Sequence, residues 1–235
     1  MPDGRRIAFR HFRGEGPTIV FLPGYMSDMA GSKATALSDW AEAQGRACLL
    51  LDYSGCGESP GNFADGTLGR WQEEAAALIS IEVNGPLVLV GSSMGGWLML
   101  LLAQKLPAKI AGLIGIAAAP DFTEWGYSAD QKAVLEKGQT VLEESLYSPE
   151  PTPTHPGFWR DGQSRRVLGD VIPIDAPVRL LHGQEDADVP PKISLRLAAM
   201  LRSQDVQVTL VKGGDHRLSR ESDIALLLRT VAALT

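Results

Sequence analysis

Gly91-Ser92-Ser93-Met94-Gly95 is a G-x-S-x-G pattern in a telling context. The apolar run Leu87-Val88-Leu89-Val90 leads straight into it, and Gly96 to Leu102 leaves it with the composition of a buried helix. Strand, motif and helix in that order predict a sharp turn that holds the Ser93 hydroxyl up and exposed, with glycines where side chains would collide with neighbouring elements. A serine hydroxyl is a weak nucleophile until a neighbouring base takes its proton, so this chemistry requires a histidine and an acid to orient it. Of the four histidines, His11 falls in an N-terminal strand region, His155 in a proline-rich stretch and His182 at a strand end. That leaves His216 as the candidate base, in the loop Gly213-Gly214-Asp215-His216 between the last strand and the last helix. Three carboxylates, Glu185, Asp186 and Asp188, follow the strand Val178 to His182. Asp186, three residues past the Gly183 turn, is the candidate acid; Glu185 is expected to point away, and Asp188 to cap the helix beginning near Pro190 or Pro191.

The attacked carbonyl would become an oxyanion, which needs N–H donors. The backbone N–H of Met94, at the positive end of the helix after the serine, is one candidate. The N–H of Tyr25 is the second, because Phe21-Leu22-Pro23-Gly24-Tyr25-Met26 ends an early strand and Gly24 permits a close approach. Such a site uses neither a metal nor an organic cofactor. Trp97 could line an apolar acyl pocket or lie in the core, and Arg160, Arg165 and Arg166 could attract an acidic leaving group or form a solvated basic face.

These residues are strung along an alternation of strands and helices. Thr18 to Leu22, Ala47 to Asp52, Leu87 to Gly91, Ile110 to Ala117, Val178 to His182 and Val206 to Val211 read as strands, mostly apolar on both faces. Helical patterns run over Ser32 to Ala43, Thr67 to Ile81, Met94 to Leu106, Pro191 to Leu201 and Arg220 to Leu234. The expected fold is α/β: a mostly parallel, doubly wound sheet with helices on both faces. Arg5 to Phe12 alternates and suits an antiparallel edge strand. Between residues 121 and 170 the alternation stops, prolines cluster and six aromatics gather: Phe122, Trp125, Tyr127, Tyr147, Phe158 and Trp159. This span is expected to be a cap inserted into a core of residues 1–120 and 171–235, near the strand ends where such sheets bind ligands.

The chain has 235 residues, 44% of them hydrophobic, enough for one ordinary domain with a sizeable core. Its formal charge of −6 would repel a phosphate backbone, which argues against nucleic-acid binding. Its longest apolar runs fall short of the roughly 18 to 20 residues of a bilayer span, and no signal or transit peptide is visible, so a cytoplasmic location is expected. Cys48 and Cys56 read as free thiols, since a domain this long needs no staple.

Five blocks, PGYMSDMAGSKA, LDYSGCGES, GSSMGGWLML, RLLHGQEDADVP and GGDHRL, together resemble the α/β-hydrolase-fold serine hydrolases over nearly the whole chain. More narrowly, they resemble the abhydrolase-domain acyl-protein thioesterase and acyl-glucuronide esterase group. The resemblance implies a nucleophile at Ser93, an acid at Asp186, a base at His216 and oxyanion amides at Tyr25 and Met94. It also implies hydrolysis of carboxylic esters or thioesters through an acyl-enzyme, with an acyl ester or thioester, an S-acylated protein included, as partner. Many relatives carry His-Gly where this chain has Pro23-Gly24, so a histidine's role there is absent while the backbone donor survives. A small-molecule carboxylesterase, another reaction on the same triad, and a ligand-binding receptor on the same fold are the competing expectations.

Overall fold

The computed structural model describes residues 4–144 and 149–235; Tyr147, one of the six aromatics singled out above, lies outside them. Nine strands and eight α-helices are described in this order: β1 (Phe9–Phe12), β2 (Glu15–Leu22), α1 (Ser32–Ala43), β3 (Arg46–Leu51), α2 (Leu68–Glu82), β4 (Leu87–Ser92), α3 (Met94–Lys105) and β5 (Ile110–Ile116). Then come α4 (Phe122–Trp125), α5 (Ala129–Glu136), β6 (Val141–Glu143), β7 (Thr152–Thr154) and α6 (Pro156–Ser164). The chain finishes with β8 (Val178–Gly183), α7 (Lys192–Met200), β9 (Val206–Val211) and α8 (Glu221–Ala232).

Seven strands form one sheet in the order β1-β3-β2-β4-β5-β8-β9. Only the β1–β3 pair in it is antiparallel. The expected edge strand is thus present but shorter than Arg5 to Phe12. Arg5 turns inward to the buried carboxylate of Glu74, and the Ala8 N–H donates to Ser59 Oγ at 2.8 Å, so the ladder starts at Phe9 opposite Leu51. Strand β2 begins earlier than expected, at Glu15, with a register shift before Ile19. Pro17 sits inside that shift, where its missing N–H costs no ladder bond.

Successive residues of the central strands feed opposite faces of the sheet. Val20, Leu22, Leu49, Leu51, Leu87 and Leu89 pack with Trp71 of α2, Trp97 of α3 and Leu197 of α7. Ile19, Phe21, Leu50, Val88 and Val90 pack with Leu37 of α1 and Leu227 of α8. Parallel strands apolar on both faces require this double cover, and each fully buried Leu or Val contributes about 1.5–3 kcal/mol relative to exposure.

The segment between β5 and β8 carries α4 to α6 and the antiparallel β6–β7 pair. Asp121 closes its root: in a left-handed conformation (φ 58°), its carboxylate accepts the N–H groups of Val167 and Leu168, each at 2.8 Å. Burial pushes the Asp121 carboxyl up, opposed by those two bonds. Phe122 and Phe158 of this segment meet Tyr25 at ring centroid distances of 6.1 and 4.7 Å, and Phe158 meets Trp71 at 5.7 Å. Trp97 is wholly buried, its indole N–H donating to the Arg165 carbonyl at 3.2 Å, so it is a core residue tied to this segment.

Candidate active site

The turn from β4 into α3 puts Ser93 at φ 53°, ψ −118°, a conformation that L residues rarely adopt and that the surroundings must enforce. The Ser93 N–H donates to Ile116 O at 2.9 Å, while the Ser93 carbonyl accepts from Gly96 and Ala119. Gly95 lets the turn come close to the end of β2: a Cβ there would lie 2.6 Å from the Pro23 carbonyl oxygen and still nearer that of Leu22. Gly24 meets the turn from the other side, its would-be Cβ 3.4 Å from Ser93 Cβ. The two glycines therefore let the loop after β2 lie directly beside the serine.

His216 approaches from the loop between β9 and α8. Asp215 Oδ1 accepts the Leu218 N–H at 2.9 Å, and Lys33 Nζ of α1 donates to the Arg217 carbonyl at 2.5 Å. Burial lowers the Lys33 ammonium to about 8. His216 Nε2 lies 3.1 Å from Ser93 Oγ, and its Nδ1 lies 2.9 Å from Asp186 Oδ2. A carboxylate oxygen can only accept from Nδ1, so in the neutral ring Nδ1 carries the proton and Nε2 is free to accept the serine's.

Asp186 is held from both ends. Its Oδ1 accepts the N–H groups of Asp188 (2.9 Å) and Val189 (2.8 Å), and Oδ2 faces His216. Burial alone would push this carboxyl up, but the hydrogen bonds from His182 and His216 and the Val189 N–H outweigh it, and the group is held well below the usual carboxylate range. Glu185 is exposed and turned toward Gly213, as expected. The expectation for Asp188 fails. Helix α7 has Pro191 at its N-cap with no side-chain cap, and the bond that opens it runs from the Ile193 N–H to the Pro190 carbonyl. The Asp188 carboxylate lies instead within 4.8 Å of the Asp186 carboxylate and the His216 ring.

Among the described residues, Asp186, Asp188 and His216 form the one cluster whose possible metal-ligand atoms approach one another within 4.8 Å. Both Asp186 oxygens and His216 Nδ1 are already engaged in the hydrogen bonds just described, so the cluster is spent on orienting His216. The N–H groups of Met94 and Tyr25 have no hydrogen-bond partner among the described residues and flank the serine turn. The Tyr25 side chain leaves the site in the other direction, its hydroxyl donating to the Pro153 carbonyl at 2.9 Å.

The other candidates lie away from the Ser93–His216–Asp186 line. His11 pairs with Glu82 at 3.1 Å, and His155 with Thr140 Oγ1 at 3.1 Å. Arg165 pairs with Asp161 at 2.9 Å and Arg166 with Glu124 at 3.3 Å, both within the 121–170 segment; Arg160 is exposed. Cys48 and Cys56 are free and buried, and burial pushes both thiols up to about 12, leaving them protonated and unreactive. One residue the sequence did not mark is His182, whose ring lies against Asp186.

The model of the alpha/beta hydrolase family matches residues 19–227. The chain belongs to that family. It is a hydrolase by descent, and its seven-stranded sheet is the family's fold. The human mitochondrial palmitoyl-protein thioesterase ABHD10 is 37% identical over 98% of this chain and 76% of its own length. The mouse protein of the same name is 41% identical over 96% of this chain and 77% of its own. Among solved structures, a protein of Agrobacterium vitis S4 superposes with a TM-score of 0.93 at 40% identity, covering 98% of this chain and 93% of that one. Mouse alpha/beta hydrolase domain-containing protein 10 superposes with a TM-score of 0.91 at 38% identity, covering 97% and 93%. No described helix is long and apolar enough to cross a membrane.

Proposed function

We propose that this chain hydrolyses carboxylic esters or thioesters by acyl transfer to Ser93, with His216 as general base, Asp186 as its orienting acid, and the N–H groups of Tyr25 and Met94 as the oxyanion hole. The observation that carries the reading is the unbroken line Ser93 Oγ, His216 Nε2, His216 Nδ1, Asp186 Oδ2, with contacts of 3.1 and 2.9 Å, ending at the first turn of α3. His216 takes the Ser93 proton as Oγ attacks the acyl carbonyl. The negative charge forming on the carbonyl oxygen is met by the two N–H groups and the helix dipole. Asp186 steadies the imidazolium, which returns its proton to the departing alcohol or thiol. Water then repeats the sequence on the acyl-enzyme, with no metal or organic cofactor in either step.

The 121–170 segment serves as the cap. It stands on the rings of Phe122 and Phe158 beside Tyr25, so it bounds the space next to the oxyanion loop. The similarity to palmitoyl-protein thioesterases supports an S-acyl thioester as substrate. A reducing setting fits the two free thiols, and the cytoplasm and the mitochondrial matrix both supply one.

Hydrolysis of p-nitrophenyl esters and of acyl-CoA and acyl-cysteine thioesters from two to sixteen carbons tests the reading. Serine-dependent rates that rise toward long thioesters are expected. Activity confined to short esters would make the protein a small-molecule carboxylesterase, and tight ligand-induced stabilisation without turnover would make it a binding protein on this fold.

A further inference from the structure

The imidazole of His182, at the end of β8, is wholly buried and meets three polar atoms. Its Nε2 lies 2.8 Å from the Val189 carbonyl oxygen and 3.2 Å from Asp186 Oδ2, while Nδ1 lies 2.7 Å from Ser194 Oγ on α7. Both atoms facing Nε2 are acceptors, so Nε2 carries a proton, which it donates to the nearer Val189 carbonyl with Asp186 Oδ2 beside it. The Ser194 hydroxyl can donate, so Nδ1 can accept, and the neutral Nε2–H tautomer satisfies every contact without placing a charge in the core. The Val189 N–H meanwhile donates to Asp186 Oδ1, so one short loop turns both its N–H and its carbonyl to this task.

We propose that His182 is a positioning residue for the hydrolytic site: its Nε2–H, fixed by Ser194 and donated to the Val189 carbonyl, also faces Asp186 Oδ2 at 3.2 Å and sets how strongly Asp186 binds the imidazolium form of His216. The inference rests on the catalytic reading given above. The contact order is Ser194, His182, Asp186, His216, Ser93, which ties α7 to the nucleophile through five side chains from α7, β8, the loops after β8 and β9, and the β4–α3 turn. The positive end of the Nε2–H dipole beside Oδ2 stabilises the carboxylate charge without help from His216. Removing it leaves Asp186 a stronger partner for the protonated imidazole, and because His216 must be neutral to accept the serine proton, the acid limb of kcat/KM moves to higher pH. The other titratable groups around His216 are Asp188 beside Asp186, Asp215 and Arg217 on its own loop, and Lys33 of α1, none of which His182 touches.

His182→Gln and His182→Asn separate a donor from a space-filler. A glutamine amide can put its NH2 near the Nε2 position and keep an N–H facing Asp186, whereas an asparagine amide reaches only the Nδ1 position and leaves Oδ2 without that N–H beside it. The Asn variant is expected to move the acid limb up by about half to one pH unit and to lower kcat more than it changes KM. The Gln variant is expected to restore the wild-type limb. Nitrogen-15 spectra of the wild-type histidines provide a measurement that does not depend on variant folding, and they should show the Nε2–H tautomer for His182 at neutral pH. An Nδ1–H tautomer, superimposable pH profiles for the wild type and the Asn variant, or equal shifts in both variants would overturn the proposal. Activity that survives Ser93→Ala would instead overturn the catalytic reading, so the two failures are distinct.

Discussion

Ser93→Ala is expected to lower turnover of any ester or thioester substrate by about a thousandfold to a millionfold while leaving the fold intact. The size follows from the step removed: without Oγ there is no acyl-enzyme, and what remains is the contribution of the N–H groups of Tyr25 and Met94 acting on direct attack by water. The substitution deletes one hydroxyl from a partly exposed side chain and keeps the strained backbone at φ 53°, which alanine tolerates about as well as serine. The urea midpoint should therefore stay close to that of the wild type. An alanine variant within tenfold of wild-type kcat would remove Ser93 from the mechanism.

Asp186→Asn is expected to cost about 10⁴-fold in kcat, because the amide removes the charge that steadies the imidazolium and faces donors with a donor of its own. Three N–H groups bond to this carboxylate, from Asp188, Val189 and His216, and the His182 Nε2 lies 3.2 Å from it. An asparagine carbonyl can accept from two of them at one end, while its NH2 opposes the rest. The same bonds make a stability prediction. A carboxyl whose pKa is lower in the folded than in the unfolded chain binds fewer protons when folded, so its ionisation stabilises the native state in full above about pH 4 and that contribution is lost as pH falls. The stability gap between wild type and Asp186→Asn should accordingly be widest near neutrality and narrow as the pH drops below about 4. Urea unfolding of both proteins between pH 7 and pH 3 measures it, and a gap independent of pH would contradict the assigned state of Asp186.

The parts of this site written in local chain grammar could be read from the sequence. A strand, a small-residue turn and a helix around Ser93 leave one sensible geometry, and the loops holding Asp186 and His216 both follow strands that end at the same edge of the sheet. Contacts that exist only once separate elements pack together could not be read this way. His182 looked like a strand-end residue because its partners Asp186, Val189 and Ser194 gather around it only when β8, the next loop and α7 pack together. Asp121 likewise marked only a boundary, although its carboxylate binds backbone 46 and 47 residues further on. Trp97 fits an acyl pocket or a core equally well by periodicity, and its full burial with the indole N–H on Arg165 decides for the core. Charge counting left Arg165 and Arg166 open between two roles, because their partners Asp161 and Glu124 come close only when the segment folds. Asp188 has the right residue type for a helix cap, but the two prolines after it fix a chain path that takes it elsewhere.

The most direct test is covalent. A fluorophosphonate reacts with an activated serine as an ester carbonyl would, and peptide mapping locates the adduct. A single adduct on Ser93, absent from His216→Ala and suppressed by a long-chain thioester competitor, is the result the account predicts. An unmodified Ser93 in protein that still hydrolyses acyl substrates, or an adduct on another side chain, would contradict it.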